Sequence, residues 1–165
     1  MTRRAIKIIG INPGTRYLGI AVLYGQELMD WRIKVLKGKW SKEKMKKAIE
    51  IILDVIERYQ PNVLSIKKLH ASRRSENLLR LANRIKQLSR QEGIKVYQYS
   101  INEIEDLFLK GEKHNKRNLA ERIASEYPVL IHELGKEKSH KNLYYIRAFE
   151  AVALALACVQ KLGTP

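Results

Sequence analysis

The first third of the chain alternates short apolar runs with turn residues. Ile6 to Ile11 is an apolar run expected to be a buried strand. Asn12-Pro13-Gly14-Thr15 supplies turn chemistry, and Tyr17 to Tyr24 reads as a second strand. Tyr24-Gly25-Gln26 predicts a hairpin turn into a third strand, Glu27 to Lys37, carrying Leu28, Trp31, Ile33 and Val35. At Ser41, an expected N-cap, the period becomes helical. Met45, Ile49, Ile52, Leu53 and Ile56 share one face of Lys42 to Tyr59, and Pro61 ends the helix. Asn62 to Ile66 is a short strand, Ser72 to Gln91 a helix closed by Gly93, and Ile94 to Tyr99 a fifth strand. Helices are then predicted at Asn102 to Leu109 and Lys116 to Tyr127. Val129 to Leu134 is either a brief strand or an irregular link. Asn142 to Lys161 closes the chain as an Ala/Leu helix suited to lie flat on a sheet.

Three meandering strands followed by helix–strand–helix–strand and further helices describe one α/β domain over residues 1–165, with a mixed five-stranded sheet flanked by helices. No repeat, low-complexity tract or linker divides it. Pro13 fixes φ, and Gly14 can take conformations closed to other residues, so the turn after the first strand is expected to be tight. Asn12 then sits at a rigid corner, a place suited to a functional side chain.

Charge changes the picture most. The chain carries 32 Lys and Arg against 17 Asp and Glu, a net +15. A thermophile-like surface would explain abundant charge, but not an excess of nearly two to one in cations. A polyanionic partner is expected, nucleic acid ahead of an anionic membrane. The cations are grouped at Lys34–Lys47, Lys67–Arg74, Lys110–Arg117 and Lys136–Lys141, several in predicted loops. Cys158 is the one cysteine, expected to be a small core residue rather than a reactive thiol. No run reaches membrane-span length and no signal-peptide pattern opens the chain, so a cytoplasmic protein is expected. His114, His132 and His140 lack metal-ligand spacing.

The motifs carry a resemblance. IIGINPGTRYLGIAVL resembles the first motif of the RuvC-type Holliday junction resolvases of the ribonuclease H-like fold, which reads Ile/Leu-Gly-Ile-Asp-Pro-Gly-Ser/Thr-Arg. LSIKKLH, Leu64 to His70, falls in place of the second motif, where Ile-Glu ends the fourth strand and an aromatic follows three residues later. SENLLRLANR, Ser75 to Arg84, falls on the helix that comes next. RAFEAVALALA, Arg147 to Ala157, matches the register of two aspartates, three apart, that open an Ala-rich final helix.

The resemblance implies nucleic-acid binding, dimers, and a site where four carboxylates hold two magnesium ions for phosphodiester cleavage. This chain departs at all four positions, which read Asn12, Lys67, Arg147 and Glu150. A neutral amide, two cations and one carboxylate give +1 where the pattern gives −4. Repulsion in place of attraction should abolish two-metal binding, so no catalytic residue, metal or cofactor is expected. Lys67 and Arg147 either point to solvent or converge on Glu150, one cation filling the metal position as an ion pair; a converted site could also attract a phosphate.

Lys116, in Lys116-Arg117-Asn118-Leu119, occupies the slot of a functional lysine in the family, and a second family lysine falls near Glu105 and is absent. LKGEKHN replaces a glycine-rich loop. The base-stacking aromatic corresponds to His70. The expected nucleic-acid-binding residues are His70, Arg73, Arg74, Lys113, Lys116 and Arg117. Two functions compete: a catalytically inactive pseudo-resolvase that binds branched or double-stranded DNA, as a homodimer or beside an active paralogue, and a metal-dependent structure-specific endonuclease recruiting Glu76, Glu103 or Asp106. An ATP-related role would need a longer chain and a second phosphate motif; a purely structural scaffold is the remaining possibility.

Overall fold

A computed structural model describes residues 5–70, 72, 75–132 and 146–163. Strands β1 (Lys7–Asn12), β2 (Tyr17–Tyr24) and β3 (Glu27–Val35) form an antiparallel meander. Strands β4 (Val63–Lys67) and β5 (Lys95–Tyr99) are added parallel to β1, giving the order β3-β2-β1-β4-β5. Helix α1 (Lys42–Tyr59) connects β3 to β4, and α2 (Glu76–Gln91) connects β4 to β5. Helices α3 (Ile101–Phe108), α4 (Lys116–Glu126) and α5 (Ile146–Gly163) follow. Among the described residues, no helix is long and apolar enough to cross a membrane.

Local chemistry sets the ends. The Ser41 hydroxyl accepts from the Lys44 amide at 3.2 Å, and Gln60 stops α1 in the left-handed region (φ 49°) before Pro61. Helix α2 starts later than expected, because the cap is Ser75, which accepts from the Leu78 amide at 3.1 Å, and not Ser72. Helix α3 starts one residue earlier, since Ser100 and Glu103 form a reciprocal capping box. Strand β4 runs on to Lys67, which pairs with Tyr99, and β3 stops short of Lys37. Val129 is no strand residue: Pro128–Leu130 is a 3₁₀ turn, where proline's fixed φ suits the first helical position. The predicted helix start at Asn142 lies outside the described residues.

The sheet buries both faces. Ile9, Ile11, Leu18, Ile20, Val22, Leu64 and Ile66 point toward α1 and α2 and join Ile52, Leu81 and Ile85 in one core. The other face meets α5, an Ala-rich helix that contributes Phe149, Ala151, Val152 and Ala155 to the second core. There α5 lies almost directly on the strands. A Cβ at Gly10 would come 2.2 Å from the Ala151 carbonyl oxygen, and one at Gly19 would come 2.3 Å from that of Arg147. Ser65, beside Gly10 on β4, donates its hydroxyl to the Leu154 carbonyl at 2.6 Å. The turn after β1 depends on the same kind of closeness. Gly14 does not have positive φ; a Cβ there would meet the Tyr17 carbonyl oxygen at 2.2 Å, so it is room and not backbone freedom that requires glycine. Cys158 is fully buried on α5, and burial raises its thiol pKa, as fits a core residue.

Candidate functional site

Period-two alternation puts Asn12 on the same face of β1 as Ile8 and Gly10, toward α5. Lys67 ends β4 on the matching face, one strand away. Arg147 and Glu150 are three apart in the first turns of α5 and share a helix face. The close approach of α5 at Gly10 and Gly19 brings all four side chains together. The Lys67 ammonium lies 3.0 Å from Oε2 of Glu150 as a salt bridge, and Nδ2 of Asn12 donates to that same oxygen at 2.7 Å. An Arg147 guanidinium nitrogen stands 3.5 Å from Oδ1 of Asn12, the long limit of a hydrogen bond. Asn12 therefore uses both ends of its amide, oxygen toward the arginine and nitrogen toward the glutamate.

Burial makes this arrangement consequential. Asn12 is 0% exposed and Glu150 3%, whereas the Lys67 side chain keeps 23% of its surface. A carboxylate taken out of water costs several kcal/mol unless a partner compensates it. Here a cation and an amide N–H supply that compensation on one oxygen. The expectation that one cation converges on Glu150 is met by Lys67; Arg147 reaches the cluster through Asn12.

The donor set does not fit the magnesium ions that the family resemblance implies. Magnesium requires several oxygen ligands, usually carboxylates supplemented by water. Among the described residues Glu150 is the only carboxylate in this cluster, and its bound oxygen faces an ammonium. Among the described residues, no group of three or more His, Cys, Asp or Glu side chains is placed to hold a metal.

The other candidates lie apart from this cluster. His70 is exposed beyond β4, its Nδ1 2.7 Å from the Ser72 hydroxyl oxygen. Lys113, Lys116 and Arg117 are exposed around the start of α4, where Asn115 caps the helix by accepting from the Asn118 amide at 2.7 Å. Arg117 lies 3.7 Å from Glu121 one turn on. Arg73, Arg74, His140 and the Lys136–Lys141 group lie outside the described residues. The acids considered for an alternative site are engaged elsewhere. Glu76 sits 4.0 Å from Arg80, Glu103 caps α3 and lies 3.8 Å from Lys161, and Asp106 is 3.6 Å from His114. His132 is exposed.

A mixed sheet in this order, with an Ala-rich helix on the strands that carry the site, defines a ribonuclease H-like scaffold. The chain belongs to the RuvC family: the family model described as crossover junction endodeoxyribonuclease RuvC matches residues 8–125. No curated protein matches in sequence. Among solved structures, Thermus thermophilus RuvC in complex with a Holliday junction substrate is similar at TM-score 0.71 and 18% identity, over 96% of this chain and 97% of that one. A second Thermus thermophilus RuvC structure gives 0.71 and 19%, over 96% and 98%. The fowlpox virus resolvase, solved with Holliday junction DNA, gives 0.57 and 13%, over 93% and 99%. At these identities the likeness establishes the fold.

Proposed function

We propose that this RuvC-family chain binds branched or double-stranded DNA through its basic loops and does not cut it. The observation that carries the reading is the Lys67–Glu150 ion pair at 3.0 Å, with Asn12 on the same carboxylate oxygen. By motif register, these residues stand where the family pattern places metal-holding acids. A lysine ammonium there supplies positive charge without a metal. It cannot activate a water as a bound dication does, because an ammonium offers no coordination site. Grip on phosphates is retained and hydrolysis is not.

Binding is supported by the net +15 and by the exposed cations Lys113, Lys116 and Arg117 at the start of α4. His70, on the exposed segment after β4, takes the stacking position, and Arg73 and Arg74 extend the same segment in sequence. The relatives solved with Holliday junctions support a branched DNA partner. By family resemblance the chain pairs as a homodimer or with an active paralogue, which sedimentation velocity will distinguish from a monomer.

The test is a panel of four-way junction, duplex, single-stranded DNA and RNA, each with magnesium and with chelator. Junction or duplex binding is expected in chelator, with log K falling steeply as log salt rises. Magnesium- or manganese-dependent nicking that disappears in Glu150→Ala would refute the inactive reading. The triple variant Asn12→Asp, Lys67→Glu, Arg147→Asp is expected to gain manganese affinity by calorimetry and to be stabilised by the ion.

A further inference from the structure

On the α1 side of the sheet, the turn after β1 and the loop between β3 and α1 enclose a concavity of about 510 Å³. Its lining includes the cations Arg16, Lys37 and Lys44, the aromatics Tyr17 and Trp40, the Gly38 backbone and, among the described residues, no carboxylate. Lys44 is the unusual member. It is only 9% exposed, and its ammonium hydrogen-bonds the Gly38 carbonyl and lies 6.0 Å from the centroid of the Trp40 ring. Among the described residues, no Asp or Glu lies within ion-pair distance of it. Lys44 is thus a nearly buried residue whose ammonium is held by one carbonyl and a ring and has no acidic partner among the described residues, a partner that an incoming anion would provide. Arg16 and Lys37 are exposed at the rim, and the Arg16 guanidinium carbon lies 5.3 Å from the Tyr17 ring centroid. Gly38 holds φ +84°, a left-handed conformation that glycine takes without strain, and turns the loop at the edge of the concavity.

We infer that this concavity binds one unpaired nucleotide of a nucleic-acid strand, the base stacking on Trp40 and the phosphate meeting Lys44, Arg16 and Lys37. An aromatic face beside several cations is the chemistry by which single strands are held without sequence preference. The volume lies within the range of small-ligand clefts and suits a nucleotide. The position agrees with this, since Thr15 on the lining is one residue from Gly14, where a Cβ would stand 3.5 Å from Arg147. A strand whose backbone passes Arg147 would have its next unpaired base within reach of the concavity. This assignment rests on the nucleic-acid-binding reading above and adds to it a site for a strand displaced from a branch point.

The experiment follows Trp40 emission in a Trp31→Phe variant, because the chain has two tryptophans. A short oligothymidylate, a blunt duplex, free thymidine monophosphate and inorganic phosphate are titrated in chelator. The oligothymidylate is expected to quench Trp40, and the duplex to bind without quenching. Trp40→Leu is expected to weaken oligothymidylate binding about tenfold while duplex affinity changes less than about twofold. Arg16→Gln and Lys37→Gln alter exposed side chains, so they test the phosphate contacts even if a Lys44 variant fails to fold. Each should weaken oligothymidylate binding and flatten its salt dependence. Oligothymidylate binding with no quenching, and unaltered in Trp40→Leu, would overturn the pocket and leave duplex binding intact. Equal quenching by inorganic phosphate would overturn base recognition. Quenching by the free nucleotide but not by the strand would overturn the strand as its source. If neither the duplex titrated here nor a four-way junction added beside it binds at low salt, the parent reading fails instead, a result told apart by those two arms alone.

Discussion

The two faces of the sheet reach the same degree of burial by opposite means. Toward α1 and α2 the strands present Ile9, Ile11, Leu18, Ile20, Val22, Leu64 and Ile66, and large side chains fill the gap. Toward α5 the same strands present Gly10, Gly19, Ala21 and Ser65, and the helix backbone fills it instead. The difference explains why the polar cluster is on one face only. A helix held at side-chain distance cannot bring short functional groups against a strand end; a helix touching the strand backbone can. Asn12, a short side chain, reaches Glu150 because Gly10 lies two residues before it on the same face.

Substitutions at this contrast should therefore have opposite size dependence. The largest effect is expected from enlargement on the α5 face. Gly10→Val drives its side chain into the Ala151 carbonyl and should cost at least about 3 kcal/mol, or prevent folding, in urea denaturation. On the α1 face truncation is what harms, and Ile11→Ala should cost about 2–5 kcal/mol by leaving a cavity. If Gly10→Val were tolerated as well as a conservative core exchange, the contrast between the faces would be wrong.

The charge cluster gives the next effect. Lys67→Met leaves the Glu150 carboxylate nearly buried with an amide as its main support, and should cost about 3 kcal/mol. Lys67→Met combined with Glu150→Leu should recover more than half of that loss, because the uncompensated charge is gone. Additive losses in the two variants would show that the pair is not coupled.

The smallest effect is at the far end of the α5 side. The Tyr127 hydroxyl donates to the Gln26 carbonyl at 2.7 Å, and burial, aided by the nearby Glu126, pushes its pKa from 10.0 up to about 12. The folded chain favours the neutral phenol. That contribution is complete below pH 10 and fades as pH rises through about 12. Tyr127→Phe should cost about 1 kcal/mol at neutral pH and remove this part of the alkaline loss, measured by thermal melts from pH 8 to pH 12.

Much of this was legible in the sequence, and the failures have physical causes. The apolar run Ile6–Ile11, closed by turn residues, and the helical period from Met45 to Ile56 mark a buried strand and a helix directly. The resemblance to the RuvC-type motifs grouped Asn12, Lys67, Arg147 and Glu150, since the family pattern sets its four acids at those two strand ends and in that helix turn. The pairing geometry was open, because a long lysine can as easily reach solvent as a carboxylate. The helix expected from Ser72 begins only after Ser75, whose hydroxyl accepts from the Leu78 amide, because helical period fixes a face and not a first residue. Gly14 is required for room and not for the conformational freedom its place in a turn suggests, because a clash with the Tyr17 carbonyl involves a contact that spacing does not reveal. The Trp40 concavity is not legible in the sequence, since Tyr17 and Arg16 come to Trp40 from the other side of a hairpin.

Main-chain atoms, and not side chains, set the clearance between α5 and the strands. The spacing between the strand ends and the first turns of α5 is therefore one that exchanges among the side chains there do not alter. A lysine, an amide or a metal-holding acid can each be fitted there as tenants of the same room, and a designer wishing to re-equip this protein needs to change occupants only, leaving Gly10 and Gly19 as they are.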